Sequence, residues 1–274
     1  LYLAVDQEEM KIIFLSPVHP LLTLGEPLPR WQMQMSRVRA LEKTGNKLLV
    51  ICYTPNDHIR LNLVERIWWN LKVLIKIIKA GKTNLIIYSL GADVFLPITI
   101  YLIKAISKAP LIVLSGVSPV TSGNRRERKM VPVFDLVLTN DDNHSRQWIK
   151  LGAKRAINLP LSAMDPELHF PRKVKDRDID VLFVGTLTAE RKLFLKRIRE
   201  LLPATVKTIF AEFVWEEEYA LLMSRAKIVL NPLRGEMKNG ANLRMFEVSA
   251  FGALLLGNSG RKEWLQPGKE MVVY

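Results

Sequence analysis

Asn239-Gly-Ala-Asn242-Leu-Arg244-Met-Phe-Glu247-Val-Ser-Ala-Phe-Gly252-Ala-Leu-Leu-Leu-Gly257 joins a loop, a helix and a strand within one short stretch. Asn239 and Gly240 supply the loop, and Asn242 carries the short polar side chain that caps a helix. Gly252 ends that helix, and the apolar run Ala253–Gly257 has the length of a buried strand. Arg244 and Glu247 stand three apart and so share one helical face.

Outward from this stretch the same alternation continues. Strands are expected at Asp180–Val184, Val206–Phe210, Lys227–Asn231 and Met271–Tyr274, with helices at Ala189–Leu201, Glu216–Ser224 and Asn242–Phe251. In the first half, strands are expected at Lys11–Leu15, Lys47–Tyr53, Asn84–Ser89, Pro110–Ser115, Asp135–Thr139 and Arg155–Leu159. Helices fall near 31–44, 61–80, 95–107 and 141–151. The strands are continuous runs of Ile, Leu and Val, which suits a sheet covered on both faces. Repeated strand–helix units therefore predict α/β, doubly wound parallel sheets. Pro160, Pro166 and Pro171, followed by the charged run Arg172–Asp180, break the periodicity and mark a linker. We expect a domain at 10–160, a linker at 161–178 and a second domain at 179–274. The last of these stops inside a strand, which reads as a shortened C-terminal domain.

Composition narrows the classes. The 274 residues are 49% hydrophobic, which rules out wholesale disorder, and the length favours two cores over one. Cys52 is the single cysteine, so no disulfide framework or cysteine zinc site can form. The four histidines, His19, His58, His144 and His169, show no metal-ligand spacing. The net charge of +13 suits nucleic acid, anionic lipid or a phosphorylated substrate. Residues 1–172 hold 23 Lys and Arg against 14 Asp and Glu, so the first half is the more basic. Its densest cluster, Arg125-Arg126-Glu127-Arg128-Lys129, reads as a solvated loop or helix turn. No aromatic residues interleave with it, so no nucleic acid partner is expected.

Residues 83–103 imitate a membrane span, but Gly91, Asp93 and Pro97 interrupt the centre, and strand–turn–helix explains the run. Leu1–Glu9 read as an upstream extension, not a signal peptide. In the helix at 61–80, Leu63, Ile67, Leu71, Leu74 and Ile78 form one apolar stripe beside Trp68 and Trp69. Arg66, Lys72, Lys76, Lys79 and Lys82 add positive charge. A sheet-covering helix with a basic outer face and a membrane-interface helix both fit this pattern. The expected location is cytoplasmic, with peripheral contact at the inner face of an anionic membrane left open.

Several residues could carry chemistry. Asp176-Arg-Asp178-Ile-Asp180 imitates a metal-binding D-x-D, but it precedes a strand where a cation site needs a strand exit. No metal site is expected. Gly185, in Val184-Gly185-Thr186, follows a strand and leads to a helix that carries Arg191 and Lys192. Such a junction lets backbone approach a phosphate, yet it matches neither a dinucleotide fingerprint nor a phosphate-binding P-loop. Arg244 and Glu247 admit two readings: a surface pair stabilising its own helix, or an arginine near diphosphate oxygens with a carboxylate accepting ribose hydroxyls.

Taken in order, Val181–Leu195, Tyr219–Asn231 and Asn242–Gly257 resemble the C-terminal domain of GT-B-fold glycosyltransferases, most of all the CgeB-like (spore-maturation) group with its N-x-R-x-F-E pattern. Asp135-Leu-Val-Leu-Thr-Asn, Trp148–Leu159 and Pro160-Leu-Ser-Ala-Met-Asp-Pro are similar to the end of the N-terminal domain of that group. The resemblance implies two Rossmann-like domains facing a cleft, and transfer of a sugar from a nucleoside-diphosphate donor to an acceptor, without metal or other cofactor. It implies that Glu247 holds the nucleotide ribose, that Arg191 with Lys192 serves the diphosphate, and that Arg244 lies beside them. Gly185, Asn239, Gly240 and Asn242 would complete the donor site. Many retaining relatives carry a glutamate where this chain has Asn239, so the stereochemistry stays open. His19 and Asp93, each just beyond a strand of the first domain, are candidate bases for the acceptor hydroxyl. His19 could equally order its proline-rich loop, and Asp93 could cap the next helix. A non-catalytic nucleotide- or sugar-binding protein of the same fold is the alternative.

Overall fold

Short runs of Ile, Leu and Val form the strands, and the chain returns between them through helices. The computed structural model describes residues 9–17, 33–53, 61–91, 94–115, 125–159, 164–233, 241–258 and 264–274. Two compact units divide the chain, one ending at Leu161 and the other running from Ser162 to Tyr274.

The first unit contains β1 (Lys11–Ser16), α1 (Met33–Glu42), β2 (Lys47–Cys52), α2 (Leu63–Ala80), β3 (Leu85–Ser89), α3 (Pro97–Ser107), β4 (Leu111–Leu114), α4 (Arg125–Met130), β5 (Leu136–Thr139), α5 (Asp142–Lys150) and β6 (Ala156–Asn158). Its six strands are all parallel, in the order β2-β1-β3-β4-β5-β6. Alternate residues feed two cores. Ile13, Leu15, Ile86 and Tyr88 pack with Val73 of α2, Ile103 of α3 and Trp148 of α5. On the other face Ile12, Phe14 and Ile87 pack with Val38 of α1. Burial on both sides explains why the strands read as unbroken apolar runs.

The second unit contains β7 (Ile179–Val184), α6 (Ala189–Leu201), β8 (Thr208–Ala211), α7 (Glu216–Arg225), β9 (Ala226–Asn231), α8 (Leu243–Ala250), β10 (Leu254–Gly257) and β11 (Met271–Val273). Its five parallel strands run β11-β10-β9-β7-β8. Leu182, Val229 and Leu255 meet α7 and α8 through Met223, Met245 and Phe251. Val181, Phe183 and Leu230 meet Leu195 of α6 on the opposite face. Both units are thus doubly wound α/β sheets of Rossmann type.

One expectation fails in detail. The helix at 61–80 forms, opened by a reciprocal capping box between Asn62 and Glu65 and closed by Gly81 at φ 69°. Its predicted stripe is not the buried one: Leu63, Ile67, Leu71 and Ile78 are exposed, and only Leu74 packs partly on the core. The buried face is Arg66, Asn70, Val73 and Ile77. Asn70 Nδ2 donates to the Arg66 and Val94 carbonyls at 2.7 and 3.0 Å, and Asn70 Oδ1 accepts from Leu96 N–H at 2.9 Å. With both ends of the group hydrogen-bonded inside the protein, an amide can occupy the core where a leucine would otherwise sit.

The D-x-D imitation also resolves. Asp178 is paired with Arg225 at 2.7 Å and with Lys207 at 2.5 Å, and Asp180 with Lys227 at 2.7 Å. These cations hold both carboxyls below their usual range, and the run borders β7 at its start. The basic cluster at 125–129 forms the short helix α4, packed against α3.

Candidate functional site

In an open parallel sheet, a crevice forms where successive crossovers leave in opposite directions, outside the carboxyl ends of the strands. The strand order of the second unit puts that switch point between β7 and β9. Gly185 follows β7 there with φ 150°, and a Cβ on it would lie 3.5 Å from the Phe183 ring and 4.0 Å from Arg244 Nη2. Thr188 caps α6 by accepting from Arg191 N–H. Arg191 then spans the switch point: its guanidinium donates to the Thr186 carbonyl beyond β7 and the Pro232 carbonyl beyond β9, both at 3.1 Å. Lys192, one residue on, lines a different hollow with Leu195, Lys196, Arg199 and Phe210.

Asn231 ends β9 and Asn242 caps α8. Their side-chain amides exchange two hydrogen bonds of 3.0 and 2.8 Å, while Asn242 Oδ1 also accepts from Met245 N–H. This locks the first turn of α8 to the strand exit and aims Arg244 and Glu247. Glu247 is buried, so the surface-pair reading is wrong. Tyr219 of α7 donates its hydroxyl to Glu247 Oε2 at 2.6 Å, and Arg244 donates to the same hydroxyl. Arg244 Nη1 stands 3.7 Å from Glu247 Oε2, with its guanidinium over the Tyr219 ring. His169 Nε2 faces Glu247 Oε1 at 3.6 Å. The other ring nitrogen, Nδ1, lies 3.0 Å from both the N–H and the carbonyl oxygen of Asp165.

The electrostatics follow. Burial alone would push the Glu247 carboxyl up, but the charge of Arg244, the nearby His169 ring and the hydrogen bond from Tyr219 outweigh it and hold the group below its ordinary range. Burial raises the Tyr219 phenol well above its ordinary value, so it remains a donor. Arg244 loses solvation too, yet Tyr219 and Glu247 keep it charged. The result is an ionised carboxylate against Arg244, which lies beside the strand-exit glycine, with the Arg191 guanidinium on the carbonyl of the next residue.

Tyr219, His169 and Asn231 escaped sequence reasoning as site residues. Tyr219 and His169 reach Glu247 from elsewhere in the chain, and no short-range spacing encodes such contacts. Asn239 and Gly240 lie outside the described residues, as do His19 and Asp93. The strands that precede these last two, β1 and β3, flank the switch point of the first sheet, where Gln34 and Arg37 of α1 donate to Ser89 Oγ at 2.8 and 3.1 Å. The N-cap of α3 is Leu96, with no side-chain cap. Among the described residues, no cluster of three or more potential metal ligands occurs, and no helix is long and apolar enough to cross a membrane.

Residues 169–274 match a family described as glycosyl transferase-like. No curated protein sequence matches the chain. Solved structures do. An α-glucosyltransferase in complex with UDP-glucose and DNA containing an abasic site aligns with TM-score 0.58 at 14% identity, covering 96% of this chain and 82% of its own. Anabaena Alr3699/HepE in complex with UDP-glucose aligns with TM-score 0.56 at 13% identity, covering 97% and 85%. The UDP-GlcNAc 2-epimerase from Methanocaldococcus jannaschii aligns with TM-score 0.50 at 13% identity, covering 97% and 89%. At such identities the likeness is one of fold: two Rossmann-like units of the GT-B kind.

Proposed function

We propose that this protein is a glycosyltransferase that moves a sugar from a nucleoside-diphosphate donor to an acceptor hydroxyl. The observation that carries the reading is that Arg244, beside Gly185, stands against ionised Glu247 at the switch point of the second unit, where Arg191 bridges the two strand exits. An epimerase shares the fold, so the choice of transfer rests on the family match over residues 169–274.

A carboxylate offers about four lone-pair directions, and Tyr219 and His169 face one on each oxygen of Glu247. The remainder suit the two adjacent hydroxyls of a ribose. As the bond between the anomeric carbon and the diphosphate oxygen breaks, positive charge grows on the sugar and negative charge on the leaving diphosphate. Arg191 and Arg244 supply fixed positive charge there without reorganisation, and the N-terminus of α6 adds the positive end of its dipole. Asp178 and Asp180 are engaged by Lys and Arg, so the reaction is assigned no metal. Activity should then survive a chelator unchanged. His19 and Asp93 remain the candidates for accepting the proton of the acceptor hydroxyl. The CgeB-like grouping is part of the proposal.

Calorimetric titration with uridine and guanosine diphosphate tests the site. Native protein should bind one of them, and Glu247→Ala and Arg191→Ala should each weaken it by roughly ten- to hundredfold, the worth of a hydrogen bond to a charged group. Equal affinity in all three proteins overturns the assignment. Donor turnover with a mixed acceptor pool separates a transferase from a non-catalytic binder.

A further inference from the structure

The exposed face of α2 is the largest feature of the first unit that its fold leaves unexplained. Leu63, Val64, Trp68, Leu71, Ile75 and Ile78 are each more than half exposed. At 100° per residue they fall on one broad strip beside the buried face of Asn70, Val73 and Ile77. Lys72, Lys76 and Lys79 fall together on the next strip, between the apolar residues and the far edge of the buried face. Lys72 Nζ lies over the rings of Trp68 and Trp69, at 4.7 and 4.5 Å from their centres. The neighbouring helix α3 packs against α2 and exposes Ile98, Leu102 and Ile106, one turn apart. Beyond α3 lies α4, whose exposed Arg126, Arg128 and Lys129 add further cations. Residues 61–129 hold eleven Lys and Arg against three Asp and Glu.

Apolar side chains in this number, flanked by one sign of charge, mark an interaction surface. A second copy of the chain would bring the same cations together, which disfavours self-association. We infer that α2 and α3 seat the first unit on an anionic phospholipid surface, with the apolar strip entering the headgroup–acyl boundary and the lysines meeting lipid phosphates. The division into an apolar strip and a lysine strip, with a tryptophan between them, is the geometry an interfacial helix requires. This surface is remote in sequence from the donor residues and independent of their assignment.

Flotation with vesicles tests it, using phosphatidylcholine alone or mixed with phosphatidylglycerol. The full chain should float with the mixed vesicles, less so as salt rises, and not with neutral ones. Replacing Lys72, Lys76 and Lys79 together by alanine should weaken binding by about a hundredfold, at roughly fivefold for each cation near an anionic surface. The variant Trp68→Ser/Leu71→Ser/Ile75→Ser should lose binding while keeping its circular dichroism and melting temperature, since these side chains lie outside both cores of the first unit. Should that variant unfold, Trp68→Phe serves instead, and must diminish the fluorescence blue shift on mixed vesicles. Equal flotation with both vesicle types, none with either, or unaltered binding by the lysine variant overturns the inference. So does a concentration-dependent dimer that the serine variant abolishes, or capture of an acidic protein with vesicles ignored.

Discussion

Glu247 and Arg244 are held out of water by contacts that do little for stability in themselves. Taking two charges from solvent costs several kcal/mol each, and a buried ion pair often stabilises no more than an apolar pair of the same volume. Each partner is nevertheless indispensable to the other, because removing one strands a buried charge. The Tyr219 hydroxyl joins them, donating to Glu247 and accepting from Arg244. Tyr219→Phe keeps the ring and removes that link, so it should lower the unfolding free energy by about 1–3 kcal/mol in urea denaturation. It should also weaken nucleoside-diphosphate binding, because Glu247 Oε2 loses the group that orients it. Unchanged stability would show that the hydroxyl is dispensable. Spacing in the sequence was enough to put Arg244 and Glu247 on one face and Asn242 at its cap. It could not reveal whether that face was wet or dry, since burial depends on Tyr219 and His169, which arrive from other elements.

Helices and strands were legible where periodicity and punctuation agree, as in α6 between Thr188 and Leu202 or β7 between Asp178 and Gly185. Orientation was not legible for α2. A helix apolar around most of its circumference offers more than one stripe, and the sheet took the one containing Asn70 because Arg66, Val94 and Leu96 supply that amide with partners. Asn70→Ala should therefore cost about 2–3 kcal/mol, while Leu71→Ala on the exposed side stays within about 0.5 kcal/mol. The reverse order in denaturation would restore the sequence-based orientation. Asp135 shows the same dependence on tertiary partners at the start of β5. Burial would raise its carboxyl, but Lys104, Lys154 and the Leu111 N–H hold it at about 2 against an ordinary 3.8. A depressed carboxyl stabilises the fold above its unfolded pKa and loses that contribution as pH falls through the folded value. Asp135→Asn should be less stable than the native protein at neutral pH by about 1–2 kcal/mol, and the gap should close between about pH 4 and pH 2. Acid titration of both proteins, followed by circular dichroism, reads the gap directly.

At the scale of the whole molecule, each unit covers both faces of its own sheet and so has its own reason to fold. Ile13, Leu15, Val73 and Trp148 belong to one core, and Leu182, Val229, Met245 and Phe251 to another. The donor residues of the proposed function all lie in the second unit, from Gly185 to Glu247, and the lipid-facing residues all lie in the first. Ligands should therefore stabilise the units selectively. A nucleoside diphosphate at a hundred times its Kd adds about 2.7 kcal/mol to the unit that binds it. In scanning calorimetry the heat absorbed by residues 162–274 should shift upward by several degrees, while that of the first unit keeps its temperature. Glu247→Ala should abolish the shift without moving the first unit. Limited proteolysis at partial unfolding identifies which unit each transition belongs to. A single transition that moves as a whole on adding nucleotide would mean that the two cores unfold as one, and the separation of donor binding from surface attachment would then fail.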